Sequence, residues 1–271
     1  MTRQVRHITI GILVFVCFLN TAQAETGTSF VEQFFEANQA YKNDQFQHAA
    51  DGYIRLIENG HENGQVYYNL GNTYFRLGDL GRAILFYERA SLLMPRDDDL
   101  SLNLSHARNQ AQDASIDLQT SSLNSLLGLG GLNRYETFFA FILLNVLFFS
   151  LLCIRLYKKT EWTYYLSIFL AIVISVGVCA VTLKWYVWAT DNRAVVLSEE
   201  VVVQAGPDSR DTVLFKLHAG TVVRVERTEG DWTLLQLSKD KRGWAESNHL
   251  ERIIKRNGNI AQKKVGGIAD G

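Results

Sequence analysis

The sequence predicts a multi-domain membrane protein that combines an all-α repeat solenoid, two transmembrane helices and a small all-β barrel. Three observations predict these parts. A pattern of small and aromatic residues recurs after 34 positions within residues 29–112, two long stretches between residues 135 and 186 lack charge, and short alternating runs fill residues 193–254. At 20% charged and 47% hydrophobic, the chain concentrates its apolar residues in such segments.

The first 24 residues predict a secretory signal. Two arginines precede an apolar run from residue 8 to residue 19, and residues 22–24 (Ala-Gln-Ala) form a cleavage site before Glu25. We therefore expect residues 1–24 to be a signal peptide and the following residues to lie outside the cytoplasm.

The next segment has a regular spacing of small and aromatic residues. The residues that define it are Tyr67, Leu70, Gly71, Tyr74, Ala83, Tyr87, Ala90 and Pro95. This spacing resembles the tetratricopeptide repeat, a helical hairpin that presents surfaces to partners and carries no chemistry. Shifting the sequence by 34 residues aligns a weaker copy ahead of it, with Ala49 opposite Ala83 and Tyr53 opposite Tyr87.

The repeat pattern predicts five helices. A fifth helix should begin at Asp97, Asp98 and Asp99, because carboxylates stabilise the exposed N–H groups of a first helical turn. This helix should cap the solenoid. Two repeats with a cap are fewer than the three that usually stand alone, so stability should depend on a neighbouring segment or a partner. The first four helices are expected over 29–42, 46–58, 64–77 and 80–94, within a repeat domain of 29–112 and before a juxtamembrane linker of 113–134.

Polar residues on the first helix of each repeat are candidates for a peptide- or protein-binding groove. Carboxamides both donate and accept hydrogen bonds, so a ladder of them suits the backbone of a bound segment. The alternative is that these asparagines only make local hydrogen bonds. The candidates are Asn38, Asn69, Asn72, Arg76, Asn103 and His106, and Phe35 occupies the same face.

Two segments without charge predict transmembrane helices. Residues 137–154 and 162–183 are each long enough to span a hydrocarbon core about 30 Å thick at about 1.5 Å per residue. Tyrosines and tryptophans cluster at their ends, as interfacial aromatics do. We expect spans over 135–156 and 162–186, joined by a short basic loop, 157–161, in the cytoplasm.

Residues 193–254 predict a small barrel of short strands. Val223 and Val225 alternate with charged neighbours, as in a half-buried sheet. The order of segments resembles bacterial SH3-like domains, particularly the Gly-Asp-Trp turn that ends at Trp232 and the later Gly-Trp pair that ends at Trp244. These two tryptophans are candidates for an SH3-like recognition surface, or alternatively they close the barrel core.

The strands are expected over 194–197, 201–204, 213–217, 221–227, 232–237 and 243–246. Polar and glycine-rich residues follow, so a disordered tail is expected over 255–271.

Several classes of site lack their usual residues. The soluble parts contain no cysteine, which excludes disulfides and thiolate metal sites, and the six histidines have no metal-ligand spacing. No phosphate-binding loop, nucleophile elbow or basic excess occurs. We therefore expect no enzyme, no cofactor, no metal and no nucleic-acid partner, although a Ser-His-Asp arrangement assembled only by folding stays open.

The order of the segments resembles the BatE proteins of the Bacteroides aerotolerance (Bat) operon: signal peptide, two repeats with a cap at Leu102-Asn103-Leu104, two close transmembrane helices and an SH3-like barrel. The resemblance implies an inner-membrane protein with its repeats and SH3-like domain in the periplasm. It also implies partners, namely von Willebrand A-domain membrane proteins and a MoxR-type ATPase system, and a role in aerotolerance or stress.

The function expected from these features is that of a non-enzymatic envelope scaffold, because two protein-interaction modules are held on one side of a membrane. The alternative is a receptor or sensor that binds cell-wall peptides through the SH3-like barrel.

Overall fold

The computed structural model describes residues 29–113, 131–157 and 160–255. Helices come first, and strands follow from residue 193. The expected signal peptide (1–24), most of the expected linker (113–134), two residues of the expected basic loop (158–159) and nearly all of the expected tail (256–271) lie outside the described residues.

Five helices form the repeat region: α1 (29–42), α2 (Phe46–Glu58), α3 (Gly64–Arg76), α4 (Leu80–Leu93) and α5 (Asp98–Gln110). Their starts follow from local side chains, because Asn63, Asp79 and Asp97 each accept a hydrogen bond from a backbone amide three residues further on. Gly78 ends α3 with a φ of 79°, and Asp44 takes the equivalent place after α1 with a φ of 59°.

Close helix packing depends on the small residues of the repeat pattern. A Cβ atom on Gly71 would lie only 2.6 Å from Cδ1 of Tyr87, so glycine is what allows α3 to approach α4. On α5, Leu100, Leu104 and Ala107 are buried. The fifth helix therefore covers the apolar face of the second repeat, as a cap should.

Two long apolar helices follow, α6 (Arg134–Tyr157) and α7 (Glu161–Thr190). They pack against each other, and only 6% of the most apolar window of each helix is buried. Their apolar side chains are therefore exposed, unlike those of a helix inside a soluble core. Both helices are long and apolar enough to cross a membrane, and the expected spans, 135–156 and 162–186, lie within them.

Residues 193–252 form one antiparallel sheet of seven strands. The order across the sheet is β3-β2-β6-β5-β4-β1-β7, and its core contains Val203, Leu217 and Leu235. The strand β7 was not expected from the sequence; it follows a single 3₁₀ turn, Ser247–His249. The strands are β1 (Arg193–Val196), β2 (Glu200–Gln204), β3 (Val213–His218), β4 (Val222–Glu229), β5 (Trp232–Gln236), β6 (Arg242–Glu246) and β7 (Leu250–Arg252).

The sheet packs against α4, so the repeats and the sheet share apolar packing. Val195 belongs to the buried cluster of the helices, whereas its neighbours Ala194 and Val196 belong to the core of the sheet. Strand β1 is therefore buried on both faces. The approach is close, since a Cβ atom on Gly81 would lie 2.8 Å from the carbonyl oxygen of Val196. The sequence did not predict this docking.

Candidate protein-interaction site

The candidate asparagines form pairs between neighbouring helices. Asn38 lies on α1, Asn69 and Asn72 lie on α3, and Asn103 lies on α5. Nδ2 of Asn69 donates to Oδ1 of Asn38 at 2.9 Å, and Nδ2 of Asn103 donates to Oδ1 of Asn72 at 3.1 Å. Each pair therefore links the first helices of two successive units.

A buried tyrosine orients each pair. The hydroxyl of Tyr53 donates to Oδ1 of Asn38 at 2.6 Å, and that of Tyr87 donates to Oδ1 of Asn72 at 2.7 Å. Burial raises the pKa of Tyr53 to about 12 and also raises the pKa of Tyr87, so both hydroxyls remain protonated donors. The local hydrogen bonds of the alternative interpretation are thus present. Nδ2 of Asn38 and Nδ2 of Asn72 make no hydrogen bond within the described residues and can donate to a bound backbone.

The other two candidates of this face are exposed. Arg76 pairs with Asp44 at 3.4 Å across the surface, and His106 is exposed on α5. Two apolar side chains accompany them, because Phe35 is 60% exposed and Leu102 is 68% exposed. Phe35 occupies on α1 the repeat position that asparagine occupies on α3 and α5. This face, which we term the groove face, therefore combines half-buried amides with exposed apolar and basic side chains.

The two candidate tryptophans lie on the face of the sheet opposite to Leu235 and Ala245. Trp244 is opposite Leu234, and Trp232 is two residues along β5 on the same face. Trp244 is nevertheless only 6% exposed, and the guanidinium of Arg227 lies 5.1 Å from its ring centroid. Trp232 is half-buried. Contact between a ligand and Trp244 would require Arg227 to move.

A buried arginine joins the repeats to the sheet. The side chain of Arg89 on α4 is 4% exposed. Its Nε donates to the carbonyl of Ile253 at 3.0 Å, and its Nη2 donates to the carbonyl of Arg252 at 2.9 Å and to Oε1 of Glu251 at 2.7 Å. Sequence reasoning missed Arg89, because its partners follow 162 to 164 residues later.

The adjacent residue, Glu88, lies buried between two arginines. Its Oε2 accepts a hydrogen bond from Nη1 of Arg193 at 3.0 Å, and its Oε1 accepts one from Arg108 on α5. Burial alone would lower the pKa of Arg193, but hydrogen bonding by Asp191 and the charges of Glu88 and Asp191 raise it above its usual value. This charged cluster therefore links α4, α5 and the start of β1.

Asp113, just after α5, makes a further link to the sheet. Its Oδ2 accepts from the backbone amide of His218 at 2.7 Å and from the hydroxyl of Thr221 at 2.9 Å, and lies 3.2 Å from Nδ1 of His218. Burial would raise the pKa of Asp113, but these hydrogen bonds lower it. The ionised carboxylate thus fastens the turn after β3 to the end of the repeats.

Folding also brings a serine, a histidine and a glutamate together in the sheet domain. Oγ of Ser198 lies 2.6 Å from Nδ1 of His249, and Nε2 of His249 lies 3.6 Å from Oε2 of Glu246. The second separation is too long for a hydrogen bond. The three residues do not line the cleft where the repeats, the sheet and the two apolar helices meet. Nor do the described residues contain a group of three or more His, Cys, Asp or Glu that could hold a metal.

Two parts of the chain match known families. Residues 64–97, which contain α3 and α4, match the tetratricopeptide repeat, and residues 198–251 match the bacterial SH3 domain. A comparison with curated proteins gives no match. The chain therefore combines a helical tetratricopeptide-repeat region, two long apolar helices and an antiparallel bacterial SH3 domain. The repeat implies protein partners, and both modules indicate protein–protein interaction.

Proposed function

We propose that this protein is a non-enzymatic membrane scaffold that binds protein partners through the groove face of its repeats. The observation that carries the proposal is the docking of the sheet on α4 through Arg89 and Val195. Helix α4 is the second helix of its repeat, so the sheet covers the side opposite the first helices. The groove face stays open, and the docked sheet gives it a fixed support.

The groove face suits an extended protein segment with apolar side chains. Nδ2 of Asn38 and Nδ2 of Asn72 can donate to backbone carbonyls of such a segment. Phe35 and Leu102, both more than half exposed, offer apolar contacts at either side of the amides. Exposed aromatic and aliphatic side chains on a rigid support are typical anchors of protein interfaces.

The two apolar helices support a position in a membrane. Phe139, Leu143 and Phe169 are each more than 60% exposed, and burial of such side chains in a hydrocarbon core is favourable. The predicted signal peptide and the basic loop favour a topology with the repeats and the SH3 domain outside the cytoplasm. The resemblance to BatE proteins favours the inner membrane, with von Willebrand A-domain membrane proteins and a MoxR-type ATPase system as partners in aerotolerance or stress.

Crosslinking of the full-length protein in its native membrane tests the scaffold. A variant that combines Phe35→Ala with Leu102→Ala should lose discrete protein partners that the wild type retains. Leu214→Ala is the matched control, because this side chain on β3 is 49% exposed and lies away from the groove face. Unchanged partners in the groove variant, or an equal loss in the control, would overturn the assignment to this face.

The alternative function is a receptor for cell-wall peptides, and it is supported by the shared face of Trp232 and Trp244. Binding of peptidoglycan fragments to the full-length protein, weakened by Trp232→Ala and not by the groove variant, would favour it over the scaffold.

A further inference from the structure

A cleft of about 350 Å³ lies where the repeats, the sheet and the two apolar helices meet. Leu93 contributes from the end of α4, Arg134 from the start of α6, Lys184 and Trp188 from the last turns of α7, and Ile254 from the residues after β7. The volume is within the range of small-ligand sites. None of the groove-face candidates lines this cleft, so it is a separate site.

Direct hydrogen bonds hold the walls of the cleft together. Nδ2 of Asn133, the residue before α6, donates to the carbonyl of Leu93 at 2.9 Å. Nζ of Lys184 donates to the carbonyl of Leu132 at 2.8 Å. The start of α6 is thus fixed both to the end of α4 and to α7, and the cleft has a defined shape.

The cleft has an excess of positive charge. Arg89 and Arg193 form ion pairs with carboxylates, whereas Arg134 and Lys184 form none within the described residues. The charged residues that line the cleft are the cations Arg89, Arg134, Lys184, Arg193 and Lys255 and the anions Glu62 and Asp191. Arg134 and Lys184 lie on α6 and α7, at the ends that face the repeats and the sheet. Glu136, whose charge attracts Lys184, forms its ion pair with Arg96.

Arg134 and Lys184 retain hydrogen-bond donors. The guanidinium of Arg134 stacks 4.0 Å from the ring centroid of Trp188 and donates to the hydroxyl of Tyr135 at 2.7 Å. Its Nε is buried and makes no hydrogen bond within the described residues. Lys184 has three ammonium protons, and Leu132 accepts one of them. An anion with several oxygens would satisfy these donors together.

We propose that this cleft binds a phosphate group, carried either by an anionic membrane lipid or by free phosphate. Guanidinium and ammonium groups are the usual phosphate ligands. The inference rests on the proposed membrane position, because the aromatic side chains of Tyr135 and Trp188 would then lie at headgroup level. A bound phosphate would contact α6 and α7 at the point where they meet the repeats, and so stabilise the repeats and the sheet against the membrane surface.

Native mass spectrometry of the full-length protein in nanodiscs tests the lipid source. Wild-type protein should retain phosphatidylglycerol in preference to phosphatidylcholine. Each cation near a membrane surface contributes about fivefold to anionic-lipid binding, so Arg134→Gln combined with Lys184→Gln should weaken retention about thirtyfold. Arg210→Gln is the control and should retain the lipid, because Arg210 belongs to the sheet domain, is 88% exposed and does not line the cleft. Equal retention in wild type, double variant and control would overturn the site.

Inorganic phosphate, titrated into phosphatidylcholine nanodiscs while tryptophan fluorescence is followed, tests the free source. Saturable binding that the double variant loses would identify free phosphate as the ligand of the cleft. No fluorescence response, together with selective retention of phosphatidylglycerol, would identify the lipid as the ligand. Lys184→Gln alone leaves the stacked Arg134 in place and should show about a fivefold loss if the double variant does not fold. Failure to insert into nanodiscs would overturn the membrane position itself, whereas insertion without phosphate selectivity would overturn only this inference.

Discussion

Replacement of Arg89 by alanine should release β7 from α4. The side chain is 4% exposed, and it donates to the carbonyls of Ile253 and Arg252 and to Glu251. Glu251 is 40% exposed, so its ion pair is screened by solvent and contributes little. The main loss comes from the two hydrogen bonds to carbonyls, and removal of the guanidinium donor costs about 1–3 kcal/mol for each of them. We therefore expect roughly 2–6 kcal/mol of local destabilisation.

Hydrogen–deuterium exchange of the full-length protein in nanodiscs measures this loss. Amides of β7 should exchange at least about 30-fold faster, because every 1.4 kcal/mol is tenfold, while α1 serves as an internal reference. Arg82→Ala is the control on the same helix: Arg82 is 48% exposed and pairs with Asp79 at 2.6 Å, and exposed pairs contribute at most about 1 kcal/mol. If both variants leave β7 equally protected, the docking contact does not stabilise the sheet as argued.

Three further changes test other parts of the structure. Gly71→Ala places a Cβ 2.6 Å from the ring of Tyr87 and should lower the free energy of unfolding by about 1–3 kcal/mol. The thermal midpoint of the helical circular dichroism signal should therefore fall, and an unchanged midpoint would contradict this prediction. Asp44 has a φ of 59°, which strains the backbone of a residue other than glycine. Asp44→Gly should relieve this strain, increase the free energy of unfolding by about 0.5–1 kcal/mol and raise the thermal midpoint; a lower midpoint would contradict the prediction. The pKa of Asp113 is lowered in the folded protein, so its ionised carboxylate stabilises the fold. This stabilisation is complete above the unfolded pKa of about 3.9 and is lost as the pH falls through the pKa of the folded state. Protection of β3 near His218, corrected for intrinsic exchange, should fall in that acidic window, and Asp113→Asn should remove the pH dependence; the same acid response in both proteins would exclude Asp113 as its source.

The ends of the repeat helices could be predicted because their determinants are local. Asp97 accepts a hydrogen bond from the amide of Leu100, three residues away, and Gly78 supplies the positive φ after α3. Strand β7 could not be predicted in this way. It has three residues, Leu250–Arg252, and it is defined by pairing with β1, more than fifty positions earlier in the chain.

The groove-face residues could be selected from sequence, but their hydrogen bonds could not. The 34-residue period places Asn69 and Asn103 at equivalent positions, yet only the structure shows that their amides donate to Asn38 and Asn72. Arg134 was missed for a different reason. An arginine often precedes an apolar segment, so Arg134 alone does not indicate a binding site. It becomes part of the candidate cleft only because α7 brings Lys184 and Trp188 beside it.

The short repeat array is explained by the docking of the sheet. Two repeats and a cap leave apolar surface on α4 that a longer solenoid would cover with further helices. Here Val195, Val222 and Ile253 of the sheet domain enter the same buried cluster. A strand buried on both faces reads as a continuous apolar run, and residues 194–196, the last three residues of β1, are such a run. In a free-standing sheet Val195 would face water. The sheet domain is therefore the neighbouring segment that covers the open face of this short repeat array.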